Sequence, residues 1–177
     1  MADYPTELVR TRYLFDGSEV LIRPIRPEDA PMEQDFVQHL SVDSRYRRFM
    51  STLMELPPGK LKYLTEIDYV RHLALVAIIR RDGHEVEIGV ARYVAGPSGA
   101  DCEFAIAIDD EWQGSGVAGI LMLTLIDAAR ARGMRRMEAF ILSTNDKMIK
   151  FARQLGFAVH RDPNDPGMVH AERSLST

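Results

Sequence analysis

The stretch that most constrains this chain runs from Phe104 to Ile126. It opens with an apolar, strand-like run, Phe104 to Ile108. A glycine-rich turn follows, Trp112-Gln113-Gly114-Ser115-Gly116-Val117-Ala118-Gly119, and passes at once into Ile120-Leu121-Met122-Leu123-Thr124-Leu125-Ile126. As a helix, that last segment is apolar on nearly every face, which places it in a core. Glycines at its mouth let backbone approach a ligand with no Cβ in the way. The first turn of a helix carries N–H groups without an internal partner and a partial positive charge. Strand, turn and helix together make a cradle for a phosphate or pyrophosphate. The cradle lacks the Gly-Lys-Ser/Thr ending of a P-loop, so no lysine meets the terminal phosphates of a nucleoside triphosphate. Nor is it the Gly-x-Gly-x-x-Gly dinucleotide fingerprint. Its spacing is Gln-x-x-Gly-x-Ala, Gln113 to Ala118.

The flanking sequence divides into short elements. Asp16-Gly17 between Arg10–Phe15 and Glu19–Ile25 signals a hairpin. Pro24 and Pro27 end the second run, and Glu28 and Asp29 suit the first turn of a helix. Met32, Phe36, Val37 and Leu40 give Ala30–Leu40 helical spacing. Ser41 is placed to cap a second short helix reaching Arg48 and Phe49. Pro57-Pro58-Gly59 reads as a break, and Leu61, Leu64 and Ile67 as a third short helix. His72–Arg81 is a strand buried on both faces. Asp82-Gly83 turns it into a return strand, Val86–Ala95, and Gly96-Pro97-Ser98-Gly99 turns again into Asp101–Asp109. The long helix ends at Arg132, with Gly133 in the C′ role. Arg136–Leu142 then completes a βαβ unit. Asn145 opens a last helix through Leu155, and Phe157–His160 and Met168–Glu172 form a closing hairpin around Pro163–Gly167. The sum is an α/β fold: a mixed, mostly antiparallel sheet of six to eight strands, with a central βαβ unit and helices on both faces. We expect one domain over residues 1–177, with residues 1–18 as an N-terminal extension and hairpin strand.

Composition narrows the function. With 177 residues, 46% hydrophobic and 27% charged, the chain has an ordinary globular balance. A net charge of -4 argues against a nucleic-acid binder, which needs a basic surface. It suits a cationic partner, or simply solubility. A single cysteine excludes an internal disulfide and fits a reducing compartment. The first residues do not read as a signal peptide, and no apolar run approaches the roughly 20 residues of a membrane span. We therefore expect a cytoplasmic protein. Five histidines and one cysteine show no metal-ligand spacing. Cys102, in an apolar strand with no partner histidine, reads as core rather than as an acyl-carrying nucleophile.

Gln113 to Ala118 resembles the pyrophosphate loop of the GNAT N-acetyltransferase superfamily, Gln/Arg-x-x-Gly-x-Gly/Ala. The order of elements is similar over nearly the whole chain. Three further stretches resemble one branch, the bacterial protein-lysine acetyltransferases that act on acyl-CoA synthetases. They are Arg23–Asp29, Leu40–Phe49, and Ile67-Asp68-Tyr69 leading to Ala74–Ala77. The resemblance implies acetyl-CoA as co-substrate and no metal. Its pyrophosphate would lie on Gln113, Gly114, Ser115, Gly116, Val117, Ala118 and Gly119. Its pantetheine arm would pair like an extra strand with Ile106, Ala107 and Ile108. Asn145, Lys147 and Phe151 of the last helix would complete the site, although Asn145 reads equally as an N-cap. Arg45, Arg47 and Arg48 are a solvated helix face, or a hold on an acidic protein rim or on the 3′-phosphate of CoA.

The implied reaction is attack of a neutral amine on a thioester. A lysine ammonium has a reference pKa of about 10.4, so a base is required. Glu103 matches the family's general-base glutamate. By alternation it shares a face with Ala105 and Ala107, opposite Cys102, Phe104 and Ile106. Apolar surroundings would raise its pKa and improve it as a base. Glu66 and His72 are the weaker candidates. Ala152 stands where many relatives carry a general-acid tyrosine, and the synthetase-modifying branch also tends to lack it. The expected acceptor is a protein lysine, with a small-molecule amine as alternative and a non-catalytic acyl-CoA sensor as a third reading.

Overall fold

The computed structural model describes residues 3–40 and 58–176. Its architecture follows from the turns. Asp82 and Gly83 adopt φ of 52° and 80°, the left-handed pair whose twist suits a two-residue hairpin. They join β3 (His72–Arg81) to β4 (His84–Ala95). β1 (Arg10–Tyr13) and β2 (Glu19–Pro24) form the first hairpin, and β5 (Asp101–Ile108) completes the meander. α3 (Val117–Ala131) then crosses to β6 (Arg136–Leu142), parallel to β5. α4 (Asp146–Gln154) leads into β7 (Ala158–Asp162) and β8 (Asp165–Ser174). The result is an eight-stranded sheet in the order β1-β2-β3-β4-β5-β6-β8-β7. Every neighbouring pair is antiparallel except β5–β6.

Helices cover both faces of β3, whose first eight residues are all buried. Ala74, Val76 and Ile78 pack with Phe36 and Val37 of α1 (Ala30–His39) and Leu64 of α2 (Pro58–Thr65). Leu73, Leu75 and Ala77 pack with Leu121, Met122, Leu125 and Ile126 of α3. α3 is less uniformly buried than its composition implies: Leu123 is 54% exposed, because a helix on one sheet face must turn some residues to solvent. Gly133, at φ 83°, closes α3. Its N–H donates to Arg130 O and that of Met134 to Ala129 O, both at 3.0 Å, which satisfies the last carbonyls.

Three expectations shift. Pro58 and Gly59 do not break the chain but open α2, where a missing N–H is harmless. Ile67 lies beyond the end of that helix. The final hairpin is longer than expected, with β8 starting at Asp165 and inserted between β6 and β7. The helix expected from Ser41 to Phe49, with Arg45, Arg47 and Arg48, lies outside the described residues. No helix among the described residues is long and apolar enough to cross a membrane.

The Arg23–Asp29 stretch has a structural reason. Arg23 donates to both carboxylate oxygens of Asp29, at 2.6 and 2.8 Å, and the Arg26 N–H donates to Asp29 Oδ2 at 2.7 Å. Both side chains are buried, so the pair locks the end of β2 to the start of α1. Removing one partner strands a buried charge. Asp29→Ala is therefore expected to lower the unfolding free energy by about 3–5 kcal/mol. Denaturant titration checks this, and a loss of well under about 1 kcal/mol would be that of an exposed pair instead.

Candidate active site

The β5–β6 ladder holds only three residue pairs, Asp101↔Arg136, Cys102↔Met137 and Glu103↔Glu138. Beyond them β5 stays paired with β4 as far as Ile108↔Gly89, and β6 with β8 as far as Leu142↔Met168. The two halves of the sheet part, and a cavity of about 810 Å³ fills the opening, within the roughly 300–1,000 Å³ usual for ligand pockets. Glu103 to Ile108 form one wall and Ala139 to Leu142 the other. Lys147, Lys150, Phe151 and Gln154 of α4 close one side. Gln113, Gly114 and Gly116, with Ala118 and Gly119 of α3, stand at the far end.

The backbone of β5 has a defined polarity here. Asp109 N–H donates to Ile88 O, and Asp101 O accepts from Gly96 N–H, both at 2.8 Å. Odd-numbered residues of β5 thus turn their polar groups toward β4, and even-numbered ones turn theirs away. Ile106 and Ile108 therefore present N–H and C=O to the opening, past the end of the β5–β6 ladder.

At the glycine end, Gly114 and Gly116 have φ of 80° and 96°. Gly116 at the N-cap of α3 brings no side chain, the Val117 N–H reaches Ser115 Oγ only at 3.4 Å, and the first turn holds no acid. The Ser115 hydroxyl donates to Trp112 O at 2.6 Å, and Lys147 Nζ donates to Gln113 Oε1 at 2.8 Å, tying α4 to the loop. The helix N-terminus and Lys147 make this end anion-receptive.

Glu103, at the other end, pairs in register with Glu138, which pairs in turn with Glu172. Arg136 Nη2 lies 2.6 Å from Glu138 Oε2 and 2.7 Å from Glu172 Oε2. His170 Nε2 lies 3.0 Å from Glu138 Oε2, and its ring stacks on Phe140 at 4.9 Å. Desolvation, then the charge of Glu138, push the Glu103 carboxyl above the usual range, and His170 opposes them. The Cys102 thiol is 2% exposed and is pushed up to about 12 by burial, which keeps it protonated and inert as a nucleophile at neutral pH.

Twelve of the residues singled out in the sequence share this cavity: Glu103, Ile106, Ala107, Ile108, Gln113, Gly114, Gly116, Ala118, Gly119, Asn145, Lys147 and Phe151. Ser115 and Val117 do not line it; the Ser115 hydroxyl turns to Trp112 O and the Val117 side chain is 1% exposed in the core. Asn145 caps α4, accepting the Met148 N–H at 3.2 Å, while also lining the wall. Glu66 and His72 lie elsewhere, Glu66 exposed and His72 with Nε2 at 3.0 Å from Arg92 Nη1. Ala152 is buried in the core, and among the described residues the lining includes no tyrosine, cysteine or histidine. Lys150 and Gln154 were missed, although their spacing from Lys147 puts them on one helix face. Phe15, which also lines the cavity, gave no local signal.

These features define an acyl-transfer fold, and the chain belongs to the acetyltransferase (GNAT) family, whose sequence profile matches residues 44–157. An acetyltransferase of Pseudomonas aeruginosa is 40% identical over 156 residues, 88% of this chain and 84% of that protein. The acetyltransferase Pat of Mycolicibacterium smegmatis is 31% identical over 157 residues, 88% of this chain but 46% of its own length. The solved GNAT domain of S. lividans PAT matches with a TM-score of 0.88 at 30% identity, covering 97% of this chain and 99% of that one.

A CoA thioester suits the lining: open amides for a diphosphate, then free strand backbone for the amides of its arm. Gly116 is the position least tolerant of a side chain, since a Cβ there would stand 3.0 Å from Phe15 Cζ on a left-handed backbone. Gly116→Ala is expected to weaken CoA binding, measured by calorimetry, about five- to thirtyfold, equivalent to the roughly 1–2 kcal/mol of left-handed strain. Unchanged affinity would remove the loop from the site.

Proposed function

We propose that this chain transfers the acetyl group of acetyl-CoA to a primary amine, the side chain of a protein lysine, by direct attack with both substrates bound. The acyl-CoA synthetases are the proposed target class, and the single cysteine fits the reducing cytoplasm. The observation that carries the reading is the position of Glu103, where the β5–β6 ladder ends and the cavity begins.

When bound, the cofactor supplies an activated acyl thioester. Ala118, Gly119 and the loop would hold its diphosphate, and the backbones of Ile106 and Ile108 its arm. Glu103 faces the α1 and α2 side of the sheet together with Ala107, whose small side chain leaves room beside it. The acceptor arrives as an ammonium. Glu103 removes one proton and so exposes the nucleophilic lone pair. Asp101, Glu138 and Glu172 surround Arg136 on the same strands, an acidic setting that favours a cation approaching Glu103. A thiol of reference pKa about 8.5 departs as thiolate without a dedicated acid, consistent with Ala152 and with a lining that has no tyrosine among the described residues. The resemblance of Arg23–Asp29 and of Ile67-Asp68-Tyr69 with Ala74–Ala77 to the protein-lysine acetyltransferases supports a protein acceptor.

The test is incubation with acetyl-CoA and a purified acyl-CoA synthetase, read by acetyl-lysine mass spectrometry. Glu103→Gln should lower kcat/KM by about 10²–10⁴-fold. Transfer to polyamines or aminoglycosides, with none to the synthetase, would replace the proposed acceptor. A base works only when ionised, so kcat/KM should rise with pH through the Glu103 ionisation, above the ordinary value of about 4.3. Because the Glu138 charge pushes that ionisation up, Glu138→Gln should move the acid limb to lower pH. An unmoved limb would show that another group titrates.

A further inference from the structure

Phe15 is 85% exposed, yet it is held in place. It sits in the β1–β2 turn, where Leu14 is buried and Gly17 adopts φ 88°. Gly17 N–H donates to Leu14 O at 3.0 Å, Leu14 N–H to Ser18 O at 2.9 Å, and Ser18 N–H to Asp16 Oδ1 at 2.8 Å. Phe15 N–H donates to Ser115 O at 3.0 Å, so the hairpin tip is clipped to the glycine loop. The ring lies against Gly116: Cζ, Cε1 and Cε2 stand 3.0, 3.1 and 3.2 Å from the position of a Cβ there. Leu14 anchors the turn in the core while its neighbour stays outside, so burial does not explain the ring.

Its position does. The open channel leaves the glycine loop toward β5 and β6. Phe15 reaches the same loop from the β1–β2 turn, at the β1 edge of the sheet. A diphosphate seated on the loop carries the pantetheine arm on one side and a nucleoside on the other. An exposed aromatic face beside the diphosphate seat offers a base a flat partner, and stacking of this kind is worth about tenfold or more per base.

We propose that Phe15 is the stacking platform for the purine of the CoA nucleotide. The proposal rests on the reading of Gly114–Gly119 as the diphosphate seat. The full chain and the Phe15→Ala, Phe15→Leu and Phe15→Tyr variants are titrated calorimetrically with CoA and with 4′-phosphopantetheine, which keeps a phosphate but has no adenosine. Thermal melting confirms that each variant is folded. Phe15→Ala and Phe15→Leu should each weaken CoA binding about tenfold or more and leave 4′-phosphopantetheine binding unchanged, while Phe15→Tyr binds CoA like the wild type. The proposal is overturned if Phe15→Ala binds CoA as well as or better than the wild type, since the ring would then be idle or an obstruction. It is also overturned if Phe15→Leu restores binding, or if both ligands weaken equally, because bulk over Gly116 would then be the whole effect. A wild-type chain that binds neither ligand would instead sink the reading of the loop itself.

Discussion

The structure turns on a ladder that stops early. β5 and β6 exchange hydrogen bonds over three residue pairs and then separate, while each keeps its partner on the other side. Strand backbone with nothing opposite it is costly unless water or a ligand supplies the bonds. Here the free groups of Ile106 and Ile108 line a cavity with a glycine loop at one end and Glu103 beside the last closed pair. The same divergence therefore makes the channel, sets its direction and places a carboxylate at its head. α3 and α4 finish it, the first by its N-terminus and the second by Lys147, Lys150 and Phe151.

Charge is placed with similar economy. On the open part of the sheet, Glu103, Glu138 and Glu172 lie in one cross-strand row, with Arg136 bridging the latter two. Beneath α1 the balance is different. Glu33, Glu87 and Arg92 are each no more than 3% exposed, and Arg92 Nη2 stands 3.9 Å from Glu33 Oε2. Burial and the neighbouring Glu33 push the Glu87 carboxyl well above its usual range. That buried group couples α1 to β4, whereas the cross-strand row leads to the cavity at Glu103. Arg23 and Asp29 join the same helix to β2.

Much of this was legible in the residues because it is local. The ends of β3 and β6 fall where the apolar runs and their turns put them. Asp82-Gly83 and Gly133 reveal their left-handed backbone through chemistry alone. The glycine loop stood out for the same reason: Gly114 and Gly116 adopt conformations that other residues rarely take. Relations between distant segments were harder to read. Pro58-Gly59 has the composition of a break, yet it begins a helix, because proline is as suited to a first turn as to a stop. Phe15 lies 101 positions before Gly116 in the chain, and only the closed sheet brings them together. The point at which β5 and β6 part has no local signature either, since Glu103 and Ile106 belong to one uninterrupted strand.

Amide hydrogen exchange resolved by residue tests the open-ladder claim most directly. In the free protein, the Ile106 and Ile108 amides should exchange quickly, while Ala105 and Ala107, turned toward β4, stay protected. Saturating CoA should slow Ile106 and Ile108 and leave Ala105 and Ala107 as they were. Ile106 and Ile108 amides already protected without ligand, or indifferent to it, would contradict the account.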